Sequence, residues 1–208
     1  IDWNEAGVTR TGPLSSYPSS FAAAFGPVSG ASGTIEFTDL LGLVTAPDQT
    51  LKVASINPGI EVNDGLVTYA LLPDRVMQVK GARWPFLDGE LQLRPVNIPL
   101  GSDEPVRYVL VIEGIDAARF VQHLDMGNLA ATGTFDGELP LVFDKDGGRI
   151  DEGKLQSREP GGNISYVGEL TYKDLSPMGN FAFDALRSIN YKHMAIQLDG
   201  PLDGEIIT

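Results

Sequence analysis

Segments in which apolar and polar residues alternate recur along most of the chain. In Glu90–Arg94, for example, Leu91 and Leu93 are separated by a polar residue. Successive side chains of a β-strand point to opposite faces, so such a segment carries its apolar residues on one face. The same alternation near the C-terminal end places three further residues on one face: Met194, Ile196 and Leu198. The pattern predicts antiparallel strands with one apolar face.

The strands are separated by a repeated pair in which an acidic residue precedes glycine. The pairs are Asp64-Gly65, Asp88-Gly89, Asp136-Gly137, Glu152-Gly153 and Asp203-Gly204. Acidic residues and glycine favour tight turns, and glycine adopts the positive φ that such turns often need. The intervals between the glycines are unequal, which argues against a solenoid with one strict period. The pairs therefore predict the corners of a meandering sheet.

Strands are predicted from Thr34 to Ile112 and again from about Leu129 to Tyr172. Arg107–Ile112 is apolar on both faces and is expected to be covered on both sides. In the later region, Leu139, Leu141 and Phe143 are each two residues apart and should share a face, with Lys145 and Arg149 in solvent. A second group is predicted to share a face: Ile164, Tyr166, Leu170 and Tyr172.

Two short helices are expected to interrupt the strands. The first should begin after Asp116, a good N-cap residue, and end near Gly127, with an apolar stripe of Phe120, Val121 and Leu124. The second is predicted from near Asn180 to Ile189. Its apolar residues are spaced three apart: Phe183, Leu186 and Ile189.

Residues 1–33 differ in composition from the remainder of the chain. From Thr11 to Gly33 they are rich in Ser, Pro, Gly and Ala, which predicts a loop or linker. The alternative is a short helical turn that packs Phe21 and Phe25 against the sheet. We expect an N-terminal segment, 1–33, followed by a single β-rich domain, 34–208.

Charge and composition exclude several kinds of partner. The net charge of −13 disfavours nucleic acid, which requires Lys and Arg, and also disfavours simple adhesion to an anionic membrane. No apolar run approaches the roughly 20 residues that a membrane-spanning helix needs. The chain contains no cysteine, and it begins at Ile1, as expected for a piece of a longer protein.

No residue pattern indicates catalysis or a cofactor. The two histidines, His123 and His193, have no partner at metal-binding spacing, and structural or surface roles are expected. The acidic residues before glycine are explained by turns, although counting alone does not exclude a carboxylate pair. Residues 144–151 resemble a calcium loop only faintly, because they lack regular acidic spacing and a bidentate Glu. We predict no enzyme, no cofactor and no metal site.

Three phrases in the second half of the chain form an ordered signature. They are G-x-x-x-G-x-L-P-L at Gly133–Leu141, I-x-x-G-x-L at Ile150–Leu155, and Pro160-Gly161-Gly162. In this order they resemble the C-terminal domain of the YdbH-type family, which are AsmA-like proteins of Gram-negative envelopes related in architecture to TamB. The resemblance covers roughly residues 33–207.

This resemblance implies a fold and a cellular role. Family members are similar to bridge-like lipid transfer proteins, in which a long antiparallel sheet curls into a U-shaped apolar groove. Phospholipid acyl chains would lie in the groove while head groups remain in water. The implied full-length protein is periplasmic, anchored in the inner membrane and directed toward the outer membrane. The domain has also been described as a dicarboxylate transporter, but the sequence has neither a membrane span nor a basic clamp for carboxylates.

The leading hypothesis is a mainly β, non-catalytic groove that binds lipid acyl chains. Its partners would be phospholipids, the upstream part of the same protein, and an outer-membrane protein or lipoprotein at a sheet edge. The residues expected to line or support the groove are Leu91, Leu93, Leu139, Leu141, Phe143, Ile164, Tyr166, Leu170, Tyr172, Met194, Ile196 and Leu198. The alternatives are a closed β-sandwich that pairs an edge strand with a partner protein, and an envelope hydrolase.

Overall fold

The fold was analysed in a computed structural model of the chain. The structure describes residues 2–4, 7–13, 28–57, 61–102, 104–145, 147–168 and 187–202. About two thirds of these residues belong to antiparallel strands. The protein is therefore mainly β, as the alternating pattern predicts.

Fourteen strands of the described ranges form one antiparallel sheet, here called the large sheet. Eleven strands follow each other in the order β1-β2-β4-β6-β7-β8-β9-β11-β13-β14-β17, and β3, β5 and β10 pair at its sides. The strands of the first half are β1 (Asp2–Asn4), β2 (Gly7–Pro13), β3 (Val28–Ser29), β4 (Ser32–Asp39), β5 (Val44–Thr45), β6 (Gln49–Ile56), β7 (Val62–Leu72) and β8 (Val76–Phe86). Those of the second half are β9 (Gly89–Leu93), β10 (Val96–Pro99), β11 (Val106–Asp116), β13 (Thr134–Asp144), β14 (Gly147–Ser157) and β17 (Ala195–Pro201).

A second sheet, here called the small sheet, has three short strands in the order β12-β15-β16. They are β12 (Leu129–Thr132), β15 (Gly162–Tyr166) and β16 (Ser188–Tyr191). One α-helix, α1 (Ala117–His123), precedes β12. The Asp116 carboxylate accepts a hydrogen bond from the Arg119 backbone N–H, so the predicted N-cap of this helix is confirmed.

The second predicted helix is wrong at its C-terminal end. Ser188–Tyr191 is strand β16, in which Ile189 pairs with Ile164. Apolar residues three positions apart do not by themselves distinguish a helix from a strand that is exposed on both faces. Ile189 lies in such a strand. The remainder of that prediction, residues 180–186, lies outside the described residues, as do 14–27 with Phe21 and Phe25.

The prediction that the acidic-Gly pairs form corners between strands is wrong for three of the four pairs among the described residues. Asp64-Gly65, Asp136-Gly137 and Glu152-Gly153 lie inside strands β7, β13 and β14, and only Asp88-Gly89 lies at a turn, between β8 and β9.

The two residues of a pair also divide their tasks differently from the prediction. The positive φ belongs to the acid: 58° at Asp64, 64° at Asp88 and 59° at Glu152. The following glycine is needed for close packing, since a Cβ at Gly65 would overlap the Trp84 indole. Acidic residues tolerate the left-handed conformation better than bulky residues do. The glycine is therefore needed for the close contact and not for the positive φ.

Strand β11 does not have two equally buried faces. Tyr108 and Ile112 are buried, whereas Val109 and Val111 on the other face are only half-buried. The sequence prediction of cover on both sides is therefore wrong. Val111 lies between Gln92 and Glu138 in the register of its neighbours, so polar side chains flank it instead of a second layer.

Candidate functional site: the apolar face of the large sheet

One row of apolar residues and glycines crosses eight strands of the large sheet. The register pairs Trp84 with Leu91, Leu91 with Ile112, and continues across β13, β14 and β17. Paired residues of neighbouring antiparallel strands project from the same face. This first apolar row consists of Val53, Gly65, Trp84, Leu91, Ile112, Gly137, Leu155 and Ile196.

A second apolar row lies two residues away on each strand and therefore on the same face. Leu93 pairs with Ala82 on one side and with Leu110 on the other, and Leu110 pairs with Leu139. The row consists of Gly33, Leu51, Val67, Ala82, Leu93, Leu110 and Leu139. The two rows together define the apolar face of the large sheet.

The opposite face of the same strands is mainly polar, although Val142 is buried on it between Arg107 and Arg149. The row that alternates with the apolar ones contains Leu66 and Val111, and its other members are polar or charged: Lys52, Arg83, Gln92, Glu138, Lys154 and Gln197. Arg94 forms an ion pair with Glu138 on this face. The large sheet therefore has one face suited to hydrocarbon and one suited to water.

Most of the first apolar row is buried, and its β17 end is less so. Leu155 is 1% exposed and Leu91 is 6% exposed. At the β17 end, Ile196 and the preceding Met194 are only half-buried but pack against the core. Burial of this apolar area contributes to stability in proportion to the area removed from water.

Two glycines allow the first apolar row to pack closely. The Trp84 indole lies directly over Gly65, where a side chain would overlap it. At Gly137, an added Cβ would overlap the carbonyl oxygen of Lys154 on the neighbouring strand. Gly137 is thus in close backbone contact, and a register shift follows it between Glu138 and Leu141.

A small cavity lies on the apolar face, with a volume of about 30 Å³. That volume is close to the share of one water molecule in the liquid. Only apolar and aromatic residues line it: Ile56, Val62, Trp84, Leu91, Leu93, Tyr108, Leu110, Leu141 and Phe143. The lining residues come from strands that range from β6 to β13 in the order of the large sheet.

Aromatic groups give this interior its few polar atoms. The Tyr108 and Phe143 rings meet edge to face with centroids 5.5 Å apart. Burial raises the pKa of the Tyr108 and Tyr69 hydroxyls, so both remain neutral at physiological pH. The Trp84 indole N–H is buried and has no hydrogen-bond partner among the described residues. The lining therefore presents no charge.

Most of the residues predicted for the groove lie together on the apolar face. Leu91, Leu93, Leu139 and Leu141 are buried there, and Phe143 shares the face of Leu141, as expected from their spacing. Lys145 and Arg149 are exposed, which confirms the predicted register of this hairpin. Three predicted residues lie on or next to β17 and belong to the same core: Met194, Ile196 and Leu198.

The remaining predicted residues lie elsewhere. Ile164 packs against the core from the small sheet, and Tyr166 is a half-buried residue of that sheet. They are separated from the large sheet because β15 pairs, among the described strands, only with β12 and β16. Leu170 and Tyr172 lie outside the described residues.

Sequence reasoning missed several residues at the centre of the apolar face. Trp84, Tyr108, Ile112 and Leu155 are all buried there, and none is among the residues predicted to line the groove. Tyr108 and Ile112 lie in the apolar segment Arg107–Ile112, which the sequence pattern predicts to be covered but does not assign to the groove. What the sequence lacked was the pairing register, which brings them into rows.

Six ion pairs join charged side chains of the described residues at the surface. At Asp136, the carboxylate accepts hydrogen bonds from the Arg158 guanidinium at 2.6 Å and from the Gly114 backbone N–H at 2.8 Å. The Arg158 hydrogen bonds hold the pKa of Asp136 below its ordinary value. An Arg–carboxylate pair of this kind is a structural tie rather than a reactive centre.

Two further features bear on function. Among the described residues, no three His, Asp or Glu side chains are grouped closely enough to hold a metal ion. No helix in the described part of the chain has both the length and the hydrophobicity to span a membrane.

Comparison with known proteins identifies the family. The family model YdbH-like, described as intermembrane phospholipid transport protein YdbH, matches residues 1–207. No curated protein and no solved structure is similar enough to the chain to count as a match. The match covers nearly the whole sequence and agrees with the ordered phrases at Gly133–Leu141 and Ile150–Leu155. The chain therefore belongs to the YdbH-like family of intermembrane phospholipid transport proteins.

Proposed function

We propose that the apolar face of the large sheet binds phospholipid acyl chains, as a non-catalytic groove within a protein that moves phospholipids between two membranes. The observation that carries this proposal is the pair of apolar rows that runs uninterrupted across the strands. An acyl chain needs no specific polar contact, because each buried CH₂ contributes about 0.8 kcal/mol. The groove domain of the proposal is residues 34–208.

The dimensions of the first apolar row support this role. It crosses eight strands, and neighbouring strands are about 4.8 Å apart, which gives a row of roughly 34 Å. One leaflet of a bilayer contributes about 15 Å of hydrocarbon, half of the 30 Å core. The row is therefore longer than one lipid tail, as a path for successive lipids requires.

A curled sheet is supported by the lining of the small cavity. Ile56 on β6 and Leu141 on β13 line the same space. In the strand order these two strands are five spacings apart, or roughly 24 Å in a flat sheet. Both can line one small cavity only if the sheet bends toward its apolar face. Such bending is what a U-shaped groove needs.

Lipid would enter where the apolar face is least covered. Met194 and Ile196 are half-buried beside the last strand of the order, β17. Tails would pass from this end along the two rows, and head groups would stay at the water-exposed rim. A charged residue in the rows would oppose passage, because an unpaired ion loses its hydration there.

The cellular setting is part of the same proposal. The protein would act in the periplasm of a Gram-negative bacterium, with the full-length protein anchored in the inner membrane, and transport of phospholipid between membranes supports this setting. The sheet would continue into the upstream part of that protein. An outer-membrane protein or lipoprotein could pair with an edge strand such as β17, which pairs only with β14 among the described strands.

One observation favours a different function, a closed β-sandwich that serves as an interaction module. The cavity holds about 30 Å³, which is room for one water molecule and not for an acyl chain. In this alternative the apolar face is a permanent core and the edge strand is the functional element. The two functions differ in whether lipid occupies the apolar face.

Native mass spectrometry of the purified chain tests the proposal. We expect copurified phospholipid on the wild-type protein and its loss in Leu141→Asp and Ile196→Asp, which place a charge on the apolar face. Asp88→Asn is the matched control, because Asp88 lies at an exposed corner and pairs with Arg119. Asparagine tolerates the positive φ of that corner as well as aspartate does.

Circular dichroism must show that each variant keeps its strand content. Folded lining variants that retain lipid as well as the wild-type protein would contradict the groove and favour the interaction module. Loss of lipid in Asp88→Asn alone would point instead to recognition through a polar surface.

A further inference from the structure

The turn between β4 and β5 carries three exposed leucines. Leu41 is 97% exposed, Leu43 is 52% exposed and Leu40 is 44% exposed. They form, with Gly42, a single projecting turn, here called the leucine tip (residues 40–43). Exposed leucines grouped in this way on a soluble surface usually mark a contact with another apolar body.

The leucine tip is held in place by its own hydrogen bonds. The Asp39 carboxylate oxygen Oδ1 accepts from the backbone N–H groups of Leu41 and Gly42, each at 3.0 Å. The Leu43 N–H donates to the Leu40 carbonyl oxygen at 3.3 Å. Three successive N–H groups thus have partners within the turn itself. Moving them out of water would leave none of these donors unsatisfied.

The shape of the tip also depends on specific residues. A Cβ at position 42 would meet the Asp39 carboxylate at 2.5 Å, so glycine is required for that carboxylate to fold back. Leu43 has a φ of 54°, an uncommon conformation for leucine. The turn thus holds the leucine side chains outward, and the positive φ of Leu43 carries a conformational cost.

The tip differs from its neighbours at the same end of the large sheet. Antiparallel order places the turns after β4, β7 and β13 at one end. The turn after β7 is Pro73–Arg75, and the turn after β13 contains Lys145, so both are polar. One apolar tip therefore projects beside polar ones.

The charges around the tip favour a lipid surface reached by apolar insertion. Residues 32–51 contain no Lys or Arg, and their charged residues are Glu36, Asp39 and Asp48. The segment that carries the tip therefore offers no cation to anionic head groups, and insertion rests on the leucines. A protein partner fits less well, because protein hot spots are enriched in Trp, Tyr and Arg, and leucine is under-represented.

We propose that the leucine tip inserts into the surface of a phospholipid bilayer and holds the domain against it. The proposal rests on the proposed function, since a protein that passes phospholipid must touch a membrane. It adds the residues that make the contact and the kind of surface they fit. That surface is rich in zwitterionic phospholipid, because the acidic tip and the net charge of −13 oppose anionic lipid.

A fluorescent label at the tip tests this contact directly. The chain has no cysteine, so Leu41→Cys in the 208-residue protein creates one site for an environment-sensitive dye. With vesicles of phosphatidylethanolamine and phosphatidylcholine we expect a blue shift and quenching by nitroxide lipids. The matched control is Val167→Cys, because Val167 is 58% exposed and lies next to the small sheet, away from the tip.

Vesicle flotation measures how much the leucines contribute. The double variant Leu41→Ser, Leu43→Ser should bind protein-free vesicles at least about tenfold more weakly than wild type, from the apolar area lost. Val167→Ser should bind as wild type does. Adding phosphatidylglycerol to the vesicles should weaken binding rather than strengthen it.

Three results would overturn the proposal. The dye at position 41 could remain unchanged on vesicles, the serine variant could float as well as wild type, or the dye could respond only when envelope proteins are present. The last result would assign the tip to a protein partner. Lipid that copurifies on the apolar face is measured separately. Absence of membrane binding by the leucine tip would therefore not contradict the proposed groove.

Discussion

The large sheet and the small sheet are built from similar alternating segments, yet they differ sharply in packing. In the large sheet, Leu155 and Val79 are each 1% exposed. In the small sheet every residue of β15 is half-buried, and Ile189 on β16 is 45% exposed. Alternation therefore gives a strand its two faces but does not determine how well the apolar face is covered.

Strand length and pairing account for the difference. Strands β7, β8, β11, β13 and β14 each have eleven residues, so several rows can form between neighbours. The strands of the small sheet have four or five residues and pair in a group of three. Three short strands cannot bury a face by themselves, and β12 and β15 rest on the core through Ala131 and Ile164.

Removing one apolar side chain from each sheet should give the largest contrast. Leu155→Ala should lower the free energy of unfolding by about 2–5 kcal/mol, because it leaves a cavity in the first apolar row. Ile189→Ala should cost less than about 1 kcal/mol, since the side chain is already half in water. Urea unfolding followed by circular dichroism measures both. Equal losses would mean that Ile189 is packed as tightly as Leu155.

Adding a side chain at glycine should give the next largest effect. Gly137→Val should destabilise the protein by about 1–3 kcal/mol, because the new Cβ overlaps the Lys154 carbonyl oxygen. Gly127, near the small sheet, has open space around it and serves as the control. Gly127→Val should change the thermal midpoint little. A tolerated Gly137→Val would contradict the close approach of β13 and β14.

Removal of the ion pair between Asp136 and Arg158 should have the smallest effect on stability. This pair connects the large sheet to the segment that leads to the small sheet. Arg158 follows β14 and leads toward β15, so its bond to Asp136 ties the connection to the large sheet. Because the pair lowers the folded-state pKa of Asp136, its stabilisation is complete at neutral pH and is lost as the pH falls below about 4 and through that pKa. Both side chains are about half exposed, which keeps the effect small.

The urea midpoint of Asp136→Asn should therefore fall less between pH 6 and pH 3 than the urea midpoint of the wild-type protein does. The single variant Arg158→Gln should reduce this fall to a similar degree, because it removes the same ion pair. If Asp136→Asn loses stability with acid exactly as the wild-type protein does, the pair does not stabilise the fold.

The sequence predicted the faces of individual strands well. The faces of Leu91 with Leu93 and of Leu141 with Phe143, and the N-cap at Asp116, are all as expected. These features depend on residues close together in the chain, which local rules of strand and helix geometry describe. The prediction of a mainly β protein follows from the same rules.

The sequence could not predict which strands become neighbours or how the sheet is divided. Placing Tyr166 with the groove was natural from its alternation with Ile164, but β15 belongs to the small sheet. Ile189 was assigned to a helix for a similar reason. The leucine tip was overlooked because an apolar run next to a strand resembles more strand, and only its exposure distinguishes it. These features depend on long-range pairing, which residue order alone does not specify.

The central claim is that phospholipid occupies the apolar face of the large sheet, and two adjacent residues test it most directly. Leu110 belongs to the second apolar row and lines the cavity, whereas Val111 lies on the polar face, and both are half-buried. A photoreactive amino acid is placed at each position in turn, and the protein is irradiated with phospholipid present. We expect lipid adducts at position 110 and essentially none at position 111. Equal labelling at the two positions, or labelling at 111 alone, would contradict the account.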